Sequence, residues 1–430
     1  MQAMKKALAA LLLLLPLWLG ADIYALRLEG PVDPLMEEYA SDSFRDIQRR
    51  GDARLVVVEM DTPGGFDTSM RAIIKTMLNS GLPVAVLVSP KGARAASAGF
   101  FILMAADVAA MAPGTNTGAA HPVSVTGSDI EKTMREKVTN DAASYVRSLA
   151  RSRGRDEGMA EKAVRESRSY TAEECLQGRL IDLIAADVAD LVARLDGRTV
   201  TLAGGRQVAL DLRGQKVVPL PMSERQKFLR TITNPNLAYF LLIFGLVGLY
   251  LEFSHPGVAL PGILGGISLL LAFLAFQILP INYVGLLLIL LSIGFFVAEI
   301  KVQGFGILGV GGIVSFILGS VMLIDSPIPE MRPAMPMIAT FAVCFAAILL
   351  FLTWKVFRAM RRRKETGSEG LVGETGVART DVDLRGGKVF VHGEWWNAVA
   401  EEPVRAGEPV IVAAVENLRL KVKPSGGDHE

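Results

Sequence analysis

Hydrophobic positions along the chain fall into three regimes. From Asp22 to about Val218, short apolar runs alternate with segments of helical spacing. Ile23–Leu28 reads as a strand and Pro34–Arg50 as a helix. Leu55–Met60 is a buried strand ended by Asp61-Thr-Pro-Gly-Gly65; Phe66–Leu78 is helical, and Val84–Val88 is a second buried strand. Ala95–Ala105 is a compact helix of small and apolar residues, and Val108–Ala112 returns as a strand. Strands alternating with helices imply βαβ units and an α/β domain.

The second regime is a series of about five apolar segments near 237–253, 258–279, 283–300, 305–324 and 337–357. Each is close to the roughly 20 residues that carry a helix across a bilayer. Glycines such as Gly262, Gly265, Gly309 and Gly312 suit close helix packing in lipid. The third regime, from about Gly370 to Lys423, has short alternating runs with Gly386-Gly387 and Ala406-Gly407 as turns, the pattern of a small all-β barrel. Trp395 and Trp396 are adjacent, so in a strand they face opposite sides and one of them belongs to the core.

The flanks orient these segments. Lys5-Lys6 precedes an apolar stretch that runs to about Ala21, the pattern of a signal peptide or an uncleaved anchor. Either way the following domain is exported. Arg358-Ala-Met-Arg-Arg-Arg-Lys364, after the last apolar segment, marks the cytoplasmic side. An odd number of spans then places the α/β domain outside and the barrel inside. Arg225, Lys227 and Arg230 run against this sign pattern, but translocated domains respond weakly to such charges.

Composition narrows the chemistry. With 45 basic and 44 acidic residues, no global field exists to gather nucleic acid. Cys175 and Cys344 lie in unlike surroundings and do not suggest a bridge. His121, His255, His392 and His429 are too scattered for a metal centre, and no cofactor is implied. What remains is a hydrolytic constellation. Gly64-Gly65, at the end of a strand, can aim backbone N–H groups at one point. Ser97, within Ala95-Ala-Ser-Ala-Gly99, opens a helix, where the N–H of Ala98 is a second donor. Lys137 is a base candidate, because a lysine can activate a serine once burial holds it neutral. Spacing alone cannot bring Lys137 to Ser97, and a solvated lysine on an amphipathic helix is the competing reading.

Taken together, Asp61-Thr-Pro-Gly-Gly, Ala95-Ala-Ser-Ala-Gly, Gly118-Ala-Ala-His-Pro and Glu136-Lys-Val-Thr-Asn resemble the long form of the NfeD family. The order of the segments resembles it too, over essentially the whole chain. The resemblance implies a ClpP/crotonase-like α/β protease domain over 22–218, after a signal peptide or anchor at 1–21. It also implies a polytopic α-helical membrane domain over 234–357 and an OB-like barrel over 370–424. By the same resemblance Ser97 is the nucleophile, Lys137 the general base, and Gly65 and Ala98 the oxyanion donors. Expected partners are a stomatin/flotillin-like (SPFH) protein, a hydrophobic peptide substrate, membrane lipid and further copies of the chain. His121 stands where ClpP-type enzymes place a triad histidine, but the position of their orienting aspartate falls on Ser167. Two other functions are weighed: a non-catalytic scaffold for SPFH microdomains, and an acyl-CoA enzyme of related fold, which export disfavours.

Overall fold

The computed structural model describes residues 22–123, 131–255, 257, 259–302, 306–326, 328–360 and 370–426. The expected leader at 1–21 lies outside them. The chain divides at Ala346 into two compact units.

In chain order the first unit begins with β1 (Asp22–Glu29), α1 (Pro34–Arg50), β2 (Ala53–Asp61), α2 (Asp67–Asn79) and β3 (Val84–Val88). It continues with β4 (Arg94–Ala96), α3 (Ala98–Ala105), β5 (Val108–Met111), β6 (Asn116–Gly118) and α4 (Lys132–Ser152), then β7 (Ser169–Thr171) and β8 (Leu183–Ile184). One six-stranded sheet runs in the order Val217–Pro219, β1, β2, β3, β5, β8. All its pairings are parallel. Separate apolar clusters cover its two faces, which is why β3 reads as an unbroken apolar run. The Asp33 side chain caps α1 by accepting from Met36 N–H at 2.8 Å, and Gly51, at φ 71°, ends it. A second, three-stranded sheet of β4, β6 and β7 stands beside the first. This is the expected α/β architecture of strands alternating with helices.

Five apolar helices follow: α5 (Pro235–Ser254), α6 (Leu260–Phe276), α7 (Tyr283–Val302), α8 (Ile307–Met322) and α9 (Met335–Met360). Among the described residues, three apolar helices are long enough to cross a membrane, within Pro235–Ser254, Tyr283–Val302 and Pro329–Arg358; α6 and α8 are shorter. α5 with α6 and α7 with α8 pack as glycine-mediated hairpins. A Cβ on Gly248 of α5 would lie 2.6 Å from Pro261 O, and one on Gly319 of α8 would lie 2.7 Å from Gly285 O.

In the second unit, five strands close a barrel between Thr375 and Pro424. Trp396 packs on its core while Trp395 is 64% exposed, as their adjacency requires. Arg379 and Trp395 both lie against the Phe390 ring, giving the barrel surface an aromatic and cationic feature not anticipated in the sequence.

Candidate active site

The turn after β2 is bonded to β4. Thr62 N–H donates to Arg94 O at 2.7 Å, and Ala96 N–H donates to Thr62 O at 3.1 Å. This brings the glycine pair to the serine. Gly64 has φ 110°, and a Cβ there would sit 2.6 Å from Ser97 Cβ and 3.0 Å from its Oγ. Only glycine fits. At Gly65 the obstacle is Val32, whose carbonyl oxygen would lie 2.1 Å from a Cβ. Val32 N–H donates to Gly64 O and Phe66 N–H to Val32 O, each at 2.8 Å. In that parallel pattern the N–H of Gly65 points away from Val32.

Ser97 lies between β4 and α3 with φ 51° and ψ −113°. For a non-glycine residue this conformation costs on the order of 1–3 kcal/mol and is held only by its surroundings. Those surroundings are explicit: Ser97 N–H donates to Gly118 O at 2.9 Å, and Phe100 N–H donates to Ser97 O at 3.0 Å. Ala98 is the first residue of α3, so its N–H has no intrahelical partner. Among the described residues, neither the Gly65 nor the Ala98 N–H finds an acceptor. Two donors without an acceptor therefore sit on the turn packed against Ser97 and on the residue that follows it, which suits an oxyanion site.

The far end of α3 is fastened as firmly. The Arg155 guanidinium donates to the carbonyls of Leu103, Met104 and Ala106 and to Asp182 Oδ2. Arg153 donates to Ala105 O and pairs with Asp107 at 2.6 Å, both side chains being 5% exposed. Burial outweighs that partner and holds the Asp107 carboxyl above its ordinary range. Every residue of α3 is buried, so the helix under Ser97 is clamped on all sides.

Ser97 opens onto a cavity of about 220 Å³ shared with Gly65, Phe66 and His121. His121 Nδ1 lies 3.1 Å from Val164 O. A carbonyl only accepts, so Nδ1 carries the proton and Nε2 is left as the basic nitrogen. The imidazole is thus held by a backbone carbonyl, a contact that no side-chain pattern could reveal. Lys137 does not line this cavity: it lies on the exposed first half of α4, beyond residues 124–130, which are outside the described chain. Ser97, Gly65 and Ala98 are brought together, and Lys137 stands apart from them.

Three family models match in sequence order: NfeD1b, N-terminal domain, over 22–199; NfeD integral membrane domain over 236–355; and NfeD-like C-terminal, partner-binding domain over 368–424. The chain is also 32% identical to the membrane-bound protease PH1510 of Pyrococcus horikoshii, over 94% of its own length and 95% of the relative's. The chain belongs to the NfeD family. It is a membrane protein, in keeping with its apolar helices. Two solved structures of a 1510-N membrane-bound stomatin-specific protease are similar to it. A serine-to-alanine mutant is 32% identical, covers 47% of this chain and 98% of that one, and has a TM-score of 0.44. A lysine-to-alanine mutant in complex with a substrate peptide is 30% identical, covers 49% and 97%, and has a TM-score of 0.45.

Proposed function

We propose that this NfeD protein is a membrane-bound serine endopeptidase that cleaves apolar segments of membrane-associated proteins, SPFH partners among them. The observation that carries the reading is Ser97, strained at φ 51° beside two unpartnered N–H groups. In this reading Ser97 Oγ attacks the scissile carbonyl while its proton passes to the base. The developing oxyanion is met by the Gly65 and Ala98 N–H groups, and one such donor is worth on the order of 10²–10³ in kcat. The 32% identity to a membrane-bound protease over 94% of the chain supports the same chemistry.

Lys137 is the proposed base. Its role requires the first turns of α4 to dock on the cavity, an event that would also bury Met134, now 50% exposed, and Val138, now 38% exposed. A second reading is favoured by the cavity itself: His121 shares it with Ser97 and has its tautomer fixed. Topology belongs to the proposal too. Ala334 N–H donates to Asn236 Oδ1, and Ile281 pairs with Ile324, so the start of α5 and the α6–α7 and α8–α9 connections share one side. Five crossings would then put this side and the α/β domain outside, with the barrel in the cytoplasm.

The test is cleavage of casein and apolar peptides by the full chain in detergent, beside Ser97→Ala, Lys137→Ala and His121→Ala. The Lys137 reading expects the first two to be inactive and His121→Ala to cleave. An active Lys137→Ala beside a dead His121→Ala transfers the base role to His121. Cleavage by Ser97→Ala refutes the nucleophile.

A further inference from the structure

The cavity over Ser97 is closed by a segment far away in sequence. Ser326, Ile328 and Met331, from the connection between α8 and α9, form the wall facing Gly65, Phe66 and His121. Phe66, the residue that follows the glycine pair, packs on the apolar cluster of the membrane helices together with Ile328 and Met331. The segment has its own order. Ile328 N–H donates to Ser326 Oγ at 3.2 Å, the Arg332 guanidinium donates to Ser326 O, and Pro329–Met331 forms a 3₁₀ turn. Ser326 is 1% exposed and Met331 4% exposed. One ion pair latches it beside the site: Arg94, three residues before Ser97, donates to Glu330 at 2.6 Å. Both side chains are close to half exposed, so the latch is worth no more than about 1 kcal/mol and can release.

We propose that Ser326, Ile328 and Met331 form the specificity wall of the Ser97 site. Ile328 and Met331 receive the side chain next to the scissile bond, which admits apolar peptide segments and rejects charged ones. Two apolar side chains on this wall and Phe66 opposite offer a charged residue too little to replace its hydration. The membrane domain is then part of the substrate groove as well as the anchor, and the peptide is read at the lipid boundary. This rests on Ser97 being the nucleophile.

The experiment uses the full chain in detergent and peptide pairs that differ only in Leu or Asp before the scissile bond. Met331→Ala and Ile328→Ala should each lower kcat/KM for the Leu peptide about tenfold, mainly through KM. Labelling of Ser97 by a small fluorophosphonate should be unchanged. An unaltered Leu-to-Asp preference in both variants, with Ser97→Ala inactive, overturns the wall and leaves the nucleophile standing. Cleavage by Ser97→Ala removes the nucleophile, and the wall falls with it. A binding measurement covers a variant that fails to fold. In a chain carrying Ser97→Ala, Cys344→Ala and Ile328→Cys, saturating apolar peptide should slow alkylation of the new thiol several-fold, and charged peptide should not. Equal alkylation with and without apolar peptide overturns the proposal.

Discussion

Helices α3 and α9 are both almost wholly apolar, yet one is encased and the other bare. All of α3 is buried, whereas only 11% of the most apolar window in Pro329–Arg358 is covered by protein. Composition does not separate them; length does. Eight residues cannot reach across a bilayer, so α3 must find its apolar surroundings inside the protein, while 26 residues can use lipid as solvent. The difference is functional. Protein on every side fixes the N-terminus of α3, and therefore Ser97, in one position. Lipid asks of α9 only that it be apolar.

The sharpest way to break this contrast is to truncate one residue of each helix. Phe100→Ala, at a site 0% exposed, should destabilise the α/β domain by about 3–5 kcal/mol in denaturant unfolding. Leu350→Ala, at a site 71% exposed, should leave the unfolding midpoint in detergent unchanged. Arg155→Met removes the donors that hold the C-terminus of α3. We expect a loss of about 3 kcal/mol, comparable to breaking a buried ion pair, and a lower kcat because Ser97 loses its far-end support. At the next level down, Asp33→Ala deletes the α1 cap beside the glycine turn and should cost about 1 kcal/mol, while Asp33→Asn retains most of it. The smallest effect is chemical. Burial pushes the Cys175 thiol up to about 12, so at pH 8 it carries almost no thiolate and should resist alkylation in the folded chain. Rapid labelling of Cys175 without denaturant would show that this side of the core opens.

Periodicity made most of the architecture legible. The alternating runs gave the parallel strands, and the long apolar segments gave the membrane helices. The glycine pair and Ser97 were readable because glycine and serine at strand and helix ends carry backbone meaning. Two things were not readable, for one reason: each is a contact between distant segments that no local pattern encodes. His121 is oriented by the main chain of Val164, 43 residues away. Arg94 meets Glu330 across 236 residues.

The short helices carry a consequence for the surrounding lipid. At about 1.5 Å per residue, the 17 residues of α6 and the 16 of α8 measure only about 26 and 24 Å. A bilayer's hydrocarbon core is about 30 Å thick. In the five-crossing arrangement, lipid beside these helices must thin or their ends must draw polar groups inward, at a fraction of a kcal/mol per Å. In that arrangement the protein would carry its own dimple in the bilayer, and under the proposed function bilayer thickness would set how readily an apolar segment leaves the lipid.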